Sequence, residues 1–387
     1  MIPPLRPAAP EGVVGGGLEE TPQGPILVVR HRYPLHHRQG CVRLGAALDA
    51  TPEILGLLSR SREGSPLPDQ LLYLDTETTG LAGGTGTYPF LVGVGFFEDG
   101  SFVVEQYFMR DLDEEPALLA ALQALLPRFK GLVTYNGRAF DVSLLETRFV
   151  LARRPWPDVL WHLDLLPAAR RLWASRLSDC RLVTVEAHAL GLRREDDVPG
   201  SLIPALYFEY LRRRNPGMLP KLFAHNRQDL LSLVALAGWV SRALIEPEQL
   251  SLSAEEYVGL GRLWEPWSGE RGCQFYRAAL NRGLSGPERE RLLLRLADLA
   301  KRERQWEDAC ALWQAAINGA DGFHLRPWEE LAKYHEHRSR DLPRASRVVV
   351  EALSRARAAR ASEVLEVLTY RLARLTRRLR AGRVSTR

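Results

Sequence analysis

The stretch LLYLDTETTGL, residues 71–81, decides how the rest of the chain is interpreted. A hydrophobic run leads into Asp75 and Glu77, which stand at alternate positions. Because side chains alternate between the faces of a strand, both carboxylates project from one face, and Thr76 and Thr78 project from the other. Neighbouring like charges repel unless a cation neutralises them, and oxygen ligands suit Mg²⁺ or Mn²⁺. Acidic pairs also occur on ordinary edge strands, so the motif needs support from elsewhere in the chain.

The sequence around this stretch predicts an α/β sheet. Residues 26–34 are predicted to form a strand, and the apolar runs within 88–110 flank an Asp99–Gly100 turn, which predicts a hairpin. A helix is expected at 116–129, followed by a buried strand at 131–136. Elements in this order indicate a mixed sheet flanked by helices. Further helices are expected at 141–153, 164–174, 201–213 and 218–241.

A second carboxylate motif follows the strand at 131–136. In YNGRAFD (135–141) the strand ends at Asn136–Gly137, and Asp141 begins an amphipathic helix. A junction between a strand and a helix places a carboxylate at the carboxyl edge of the sheet, where the side chains of Asp75 and Glu77 also emerge. Capping of the helix is the alternative role for Asp141.

The third motif is FAHNRQDLLSLVALAGW (223–239), a strongly apolar helix. His225 and Asp229 are spaced i, i+4, which puts both on one face. An Asp within such a helix needs a partner, and a metal ion or a buried hydrogen-bond network would supply one. A salt bridge with Arg227 is the alternative.

Length and composition limit the class of protein. A chain of 387 residues is too long for a single hydrophobic core, so we expect separate domains. No apolar run approaches the roughly 20 residues that span a bilayer, and the Pro- and Gly-rich start lacks the apolar core of a secretory signal. The four cysteines are scattered, which disfavours a structural zinc site and a disulfide framework. These features predict a cytoplasmic protein with no membrane role.

Beyond residue 250 the sequence becomes helical and repeats itself. Segments 269–280, 306–317 and 342–353 superpose with offsets of 37 and 36 residues. Small residues recur at matching positions, which lets paired helices approach closely. The period predicts helical repeats similar to tetratricopeptide repeats, which usually dock a protein partner. A generic helical bundle is the alternative.

Taken together, D-x-E followed by TTGL, then Y-N-G-x-x-F-D, then H-x-x-x-D in a late helix resemble the motifs of the DEDD exonuclease superfamily. Within it, DTETTGLAGGTGTYPFLVGVGFF (75–97) and YNGRAFD (135–141) are similar to the YprB-type RNase H-like family. The resemblance covers residues 70–240 and implies an RNase H-like α/β fold with metal-dependent nuclease activity.

The resemblance also implies roles for individual residues. Asp75, Glu77, Asp141 and Asp229 would hold two divalent cations, Mg²⁺ or Mn²⁺. His225 would be the general base or the group that orients the attacking water. In the superfamily, the three-residue interval between His225 and Asp229 usually accompanies Tyr, so this motif mixes two subclasses. Candidate substrate contacts, for which a tight turn or core packing is the alternative, are Thr78, Tyr135, Asn136 and Arg138.

The leading functional hypothesis is a 3′-5′ exonuclease that hydrolyses single-stranded DNA or RNA by a two-metal-ion mechanism. One alternative is a weakly active or inactive nucleic-acid-binding adaptor whose repeats dock a protein. Another is an RNase H-like endonuclease. The net charge of +5 permits a phosphate-bearing partner.

The chain is expected to divide into five segments. The last helix ends in a run of arginines without an acid, which indicates either affinity for phosphate or a solvated helix end. The expected segments are a disordered lead-in at 1–24, an N-terminal extension packed on the nuclease domain at 25–69, the RNase H-like domain at 70–245, the helical repeats at 250–381 and a basic tail at 382–387.

Overall fold

The computed structural model describes residues 9–62, 64–80, 85–157, 161–319 and 322–384. They form two compact units, Met1–Leu252 and Ser253–Arg387. The first unit contains a mixed sheet of seven strands with helices, and the described part of the second is helical. The predicted fold class, an α/β sheet followed by an all-helical region, is therefore confirmed.

The large sheet has the strand order β1-β2-β7-β6-β5-β8-β9, and β3 pairs with β4 separately. Strands β5, β8 and β9 run parallel, and the other neighbours are antiparallel. The strands are β1 (Gly17–Thr21), β2 (Gly24–Pro34), β3 (Arg38–Gln39), β4 (Val42–Arg43), β5 (Leu71–Thr78), β6 (Pro89–Glu98), β7 (Ser101–Phe108), β8 (Gly131–Thr134) and β9 (Trp161–Asp164).

The predicted hairpin is present as β6 and β7. Asp99 and Gly100 connect these strands with φ angles of 48° and 69°. Two successive positive φ angles define a type I′ turn, whose twist matches that of the flanking strands. The Asp-Gly pair therefore fixes the register in which Gly93 of β6 pairs with Gln106 of β7.

Strand β5 lies in the interior of the sheet, which explains its apolar start. Residues from Leu71 to Leu74 are buried, and the strand pairs with β6 as far as Thr78. On its other side, β8 pairs only with Leu71–Tyr73. The end of β5 that carries Asp75 and Glu77 consequently has one edge that no strand of the described residues covers, and other groups can bind the backbone there.

The expectation of a disordered lead-in at 1–24 is wrong for the described residues. Pro10–Val14 form a short helix (α1), and β1 pairs with β2 along its whole length. Strand β2 in turn pairs with β7, so the segment before residue 70 completes the sheet instead of packing on a finished domain. The physical reason is that β7 would otherwise expose an unpaired edge of backbone donors and acceptors. Residues 1–8 lie outside the described part.

Helices cover the sheet of the first unit. One of them, α8, is long and apolar enough to cross a membrane by length and composition, but 78% of the relevant window is buried inside the fold, as in a core helix. The helices after α1 are α2 (Pro52–Ser59), α3 (Glu115–Leu125), α4 (Asp141–Leu151), α5 (Leu166–Trp173), α6 (Leu182–Val185, continued by a π-turn to Leu190), α7 (Ile203–Arg213) and α8 (Leu219–Ile245).

The second unit consists of successive helix pairs. The repeated segments of the sequence coincide with α10, α12 and α14, and their small residues Gly272, Ala309 and Ala345 are all buried. The repeat therefore reflects a recurring close contact between helices. The helices are α9 (Ala254–Trp264), α10 (Gly269–Asn281), α11 (Gly286–Arg302), α12 (Trp306–Asn318), α13 (Leu325–His337), α14 (Leu342–Ala358) and α15 (Leu365–Val384).

The basic end of the chain is part of this packing. Leu368 and Leu375 of α15 are buried, and Arg374 and Arg378 each bind Glu336 of α13 at 2.6 Å. The solvated helix end describes only part of this run: Arg377 and Arg380 are exposed, but the buried carboxylate of Glu336 requires cationic partners and binds Arg374 and Arg378. The expected tail at 382–387 begins inside α15, and residues 385–387 lie outside the described part.

Candidate functional site

Strand β5 and helices α4 and α8 bring the five predicted site residues together. The imidazole Nε2 of His225 lies 3.8 Å from Oε1 of Glu77 and 3.6 Å from Oδ2 of Asp229. Potential ligand atoms of these three residues all lie within 4.8 Å of one another. The carboxylate of Asp75 interacts electrostatically with those of Asp229, Glu77 and Asp141, so Asp75 and Asp141 belong to the same cluster.

Helix α4 places Asp141 beside the uncovered edge of β5. Its Oδ1 accepts hydrogen bonds from the backbone N–H of Thr76 at 3.1 Å and from the Thr76 hydroxyl at 2.6 Å. The N-cap position of α4 is held by Phe140, and Asp141 is the first residue of the helix. Thr76 was expected to point away from the acidic pair, but its hydroxyl reaches Asp141 because β8 leaves this edge of β5 open. The alternative role of Asp141 as a helix cap is therefore not realised.

A buried amide network holds Asp75. The side chain of Asn226 donates a hydrogen bond to Oδ2 of Asp75 at 2.8 Å, and Gln106 donates to Oδ1 of Asn226 at 2.8 Å. Both amides are fully buried. Gly93 of β6 pairs with Asp75 of β5 on one side and with Gln106 of β7 on the other. Gly93 leaves the space above the sheet into which Asn226 projects, since a Cβ there would lie 2.1 Å from Oδ1 of Asn226.

We expect Gly93→Ala to destabilise the first unit by about 1–3 kcal/mol, because the added methyl group would displace Asn226 in a packed interior. The measurement is the free energy of unfolding in urea. Gly200→Ala is the matched control, since a Cβ at Gly200 meets no atom within 4 Å. Equal destabilisation by the two substitutions would contradict the proposed packing constraint.

Arg194 is a site residue that the sequence analysis missed. Its side chain is only 5% exposed and donates hydrogen bonds to Glu186 at 2.8 Å, to Asp197 at 3.1 Å and to Asp229. The salt bridge considered for Asp229 thus exists, but its cation is Arg194. Arg227, the neighbour in sequence, instead contacts His31 at 2.8 Å.

Asp197 orients the imidazole of His225. Nδ1 of His225 lies 2.7 Å from Oδ1 of Asp197, and this contact directs Nε2 toward Glu77 and Asp229. In the neutral imidazole a proton on Nδ1 leaves the Nε2 lone pair free to accept another. Burial opposes the ionised form of Asp197, but hydrogen bonds from His225 and Arg194 outweigh it and lower the pKa of this carboxyl.

Burial and mutual repulsion disfavour ionisation of the cluster. The pKa values of Asp75 and Glu77 are well above their ordinary values because of burial first and the charge of Asp229 second. Burial also raises the pKa of Asp141 to about 6, against the hydrogen bonds from Thr76. The pKa of Asp229 is raised by burial although Arg194 opposes the shift. The site carries more negative charge than Arg194 neutralises.

The donor set fits divalent cations. Carboxylate oxygens are the ligands that Mg²⁺ and Mn²⁺ prefer, and His225 lies beside them. Glu77 and His225 are buried, whereas Asp75, Asp141 and Asp229 keep part of their surface exposed, so solvent reaches the cluster. A cation at this place would offset the repulsion that raises the carboxyl pKa values.

The candidate substrate contacts have local structural roles. The hydroxyl of Thr78 donates to the carbonyl of Gly80 at 2.7 Å. Tyr135 donates to the carbonyl of Cys180, and the guanidinium of Arg138 donates to the carbonyl of His162 at 2.7 Å. Asn136, with φ of 67°, donates its backbone N–H to Asp164. Asp164, which ends β9, thus holds the loop after β8.

Comparisons with known proteins identify the family of this chain. The profile of the RNase_H superfamily matches residues 72–241. The chain is 30% identical to the Bacillus subtilis (strain 168) protein described as "Uncharacterized protein YprB", over 91% of this chain and 86% of that protein. A family B DNA polymerase from the archaeon Pyrobaculum calidifontis aligns at 16% identity and a TM-score of 0.37, over 54% of this chain and 30% of the polymerase.

Proposed function

This chain belongs to the family of the Bacillus subtilis protein YprB, and from its RNase H-superfamily region we propose that it is a nuclease. The proposed reaction is metal-dependent hydrolysis of phosphodiester bonds in single-stranded DNA or RNA, from the 3′ end. The observation that carries the proposal is the convergence of Glu77, His225 and Asp229, whose potential ligand atoms lie within 4.8 Å of one another, next to the interacting carboxylate of Asp75.

In this proposal His225 accepts a proton, and two divalent cations, Mg²⁺ or Mn²⁺, would be held by the carboxylates of Asp75, Glu77, Asp141 and Asp229. The chemistry that such cations supply when bound is activation of a water and stabilisation of charge on the leaving oxygen. Asp75 is held in place by Asn226, and Asp141 by Thr76, so neither needs to reorganise on binding. Nε2 of His225 accepts the proton of the attacking water, and Asp197 stabilises the imidazolium that results.

Asp197 is therefore a positioning residue. We expect Asp197→Asn to lower kcat by about 10–100-fold with little change in KM, a range typical of groups that orient a catalytic side chain. The split between kcat and KM and the pH profile of kcat distinguish this role from a structural one. Asp196→Asn, at the exposed neighbouring position, is the matched control. A change confined to KM would contradict the assignment.

The proposed activity is tested on oligonucleotides labelled at either end, incubated with Mg²⁺ or with EDTA. A 3′-5′ exonuclease shortens a 5′-labelled single strand progressively and releases a labelled mononucleotide from a 3′-labelled one. Internal fragments in both experiments would indicate the RNase H-like endonuclease. Binding without cleavage at any metal concentration would favour the adaptor hypothesis and defeat the proposal.

Stability should depend on divalent cations and pH together. The pKa values of Asp75, Glu77 and Asp141 are raised in the folded state, so their contribution to stability is present below the ordinary carboxyl pKa and is lost as pH rises. For Asp141 the window runs from its ordinary value up to about 6. In EDTA we therefore expect the unfolding temperature of the first unit to fall through this window.

Mg²⁺ should reverse that loss. At a hundred times Kd, a ligand bound only by the folded state contributes about 2.7 kcal/mol, or roughly 5–10 °C for a unit of this size. Differential scanning calorimetry at acidic and neutral pH measures the effect, which should be larger at neutral pH. An equal shift in Glu77→Gln/Asp229→Asn protein would show that Mg²⁺ acts elsewhere.

The proposed partner is nucleic acid, and the proposed location is the cytoplasm. All four cysteines are free, which fits a reducing compartment. A protein partner for the helical unit is a further hypothesis, and it is the essential element of the adaptor alternative. Co-purification from cells that express a tagged full chain tests it.

A further inference from the structure

A cavity in the second unit combines cationic and aromatic side chains. It has a volume of about 320 Å³ and is formed by residues of α11, α12, α13 and α15. This volume lies within the range of small-ligand sites and is suited to about one nucleotide unit. The cations that line it are Lys301, Lys333, Arg338, Arg371 and Arg374.

Positive charge exceeds negative charge around this cavity. Glu330, which also lines it, pairs with Lys301 and with Lys333. The buried carboxylate of Glu336 forms a salt bridge with Arg374 and lies 3.5 Å from Arg371. Three further salt bridges complete the group. Arg378 also binds Glu336, and both Arg371 and Lys333 lie within salt-bridge distance of Glu329. Five cations and one carboxylate, Glu330, thus line the cavity. With their ion-pair partners Glu329, Glu336 and Arg378 included, the group holds six cations and three carboxylates, an excess of three positive charges.

Arg338 is the cation most available to a ligand. It is exposed, and its guanidinium stands 4.7 Å from the centroid of the Trp306 ring. Among the residues that the structure describes, no carboxylate lies within salt-bridge distance of Arg338. A guanidinium placed over an aromatic ring presents its N–H groups at a fixed position, which suits the oxygens of a phosphate.

Trp306 also stacks with Tyr334. The ring centroids are 6.1 Å apart with an interplanar angle of 29°, and both rings are half-buried at the cavity. A partly exposed aromatic surface beside excess positive charge is the combination by which proteins bind unpaired nucleotides, because bases stack on rings while cations bind phosphates. An acidic peptide would use the cations but not the flat ring surface.

We propose that this cavity binds a segment of single-stranded nucleic acid. The base stacks on the part of the Trp306–Tyr334 surface that the Arg338 guanidinium leaves uncovered, and the adjoining phosphates contact Arg338 and Lys333. A base paired in a duplex cannot present its face to these rings, so the site selects single strands. The inference rests on the proposed function only in taking nucleic acid as the class of partner.

The test uses the full chain with Asp75→Asn, in EDTA, so that cleavage does not interfere. Fluorescence anisotropy of a labelled oligodeoxythymidine, recorded at several salt concentrations, gives Kd and its salt dependence. Arg338→Glu and Trp306→Ala are each expected to weaken binding by about fivefold or more, and Arg338→Glu also to reduce the salt slope. Trp306→Phe, which keeps a flat ring, should retain most of the affinity.

Arg347→Glu is the matched control, because Arg347 is exposed on α14 and does not line the cavity. An unchanged Kd in Arg338→Glu and Trp306→Ala would overturn the inference. So would an equal loss in Arg347→Glu, or a loss of binding to polyglutamate without a loss for the oligonucleotide. Absence of cleavage by the wild-type chain would defeat the proposed function but leave this binding measurement intact, so the two failures are distinguishable.

Discussion

Replacing Asp75 with Asn is expected to lower the rate of Mg²⁺-dependent cleavage of a single-stranded oligonucleotide by about a thousandfold or more. Asp75 interacts electrostatically with Asp229, Glu77 and Asp141, and Asn226 fixes its orientation. Loss of its charge would weaken cation binding at the centre of the cluster, and bound cations contribute several kcal/mol to transition states of this kind. Single-turnover cleavage with excess protein measures the effect without a contribution from product release.

The matched control for this prediction is Asp69→Asn, which removes an equal charge from an exposed position just before β5. That variant should cleave at the wild-type rate. The circular dichroism spectrum and unfolding temperature of Asp75→Asn should stay close to those of the wild type, because Asn retains the shape of Asp. Residual activity within tenfold of the wild type would contradict the assigned role of Asp75.

The second large effect is expected at Arg194. We expect Arg194→Gln to destabilise the first unit by about 3–5 kcal/mol, because it leaves the carboxylate of Glu186 buried and unpaired. Glu186 is 1% exposed, and Arg194 is the cation it contacts in the described structure. Urea unfolding in EDTA measures the change without the added effect of divalent cations.

A double-mutant cycle measures the interaction energy between Arg194 and Glu186 separately from their other contacts. Glu186→Gln combined with Arg194→Gln should cost less than the sum of the two single changes, because the double variant leaves no uncompensated charge between these positions. Arg193→Gln, at an exposed neighbouring position, should have little effect. Additive losses in the cycle would mean that Arg194 does not stabilise Glu186.

The elements that carry the carboxylates could be predicted from local pattern. An apolar run before Asp75, the turn before Asp141 and the i, i+4 spacing of His225 and Asp229 each have a short-range physical basis, and the structure brings the residues together. The repeat in the second unit could also be predicted, since buried small residues recur at intervals of 37 and 36 residues.

The partners of these residues could not be predicted, because they come from distant parts of the chain. Arg194 lies in a charged loop and reaches Asp229 across 35 positions, whereas the local spacing favoured Arg227. Gln106 reaches Asn226 across 120 positions. The sequence does contain two unusual residues in this network: Gln106 is polar within an apolar strand, and Gly93 interrupts another apolar strand. Neither residue indicates that Asn226 fills the space above Gly93.

The N-terminal segment also shows what local sequence does not predict. Its Pro- and Gly-rich composition indicated disorder, but the open edge of β2 binds Gly17–Thr21 as a strand. The two strands form a local hairpin, and the pairing of β2 with the distant strand β7, which composition does not reveal, holds this hairpin in the sheet. The ion pairs of Arg374 and Arg378 in α15 could not be predicted for the same reason, since their partner Glu336 lies 38 and 42 positions earlier.

The central claim is that the acidic cluster is a divalent metal centre, and titration with Mn²⁺ followed by isothermal calorimetry at neutral pH tests it most directly. Wild-type protein should bind two Mn²⁺ ions per chain with saturation, and binding should be lost in Asp75→Asn/Glu77→Gln protein that remains folded. Absence of saturable binding to the wild type, or the same isotherm for both proteins, would contradict the claim.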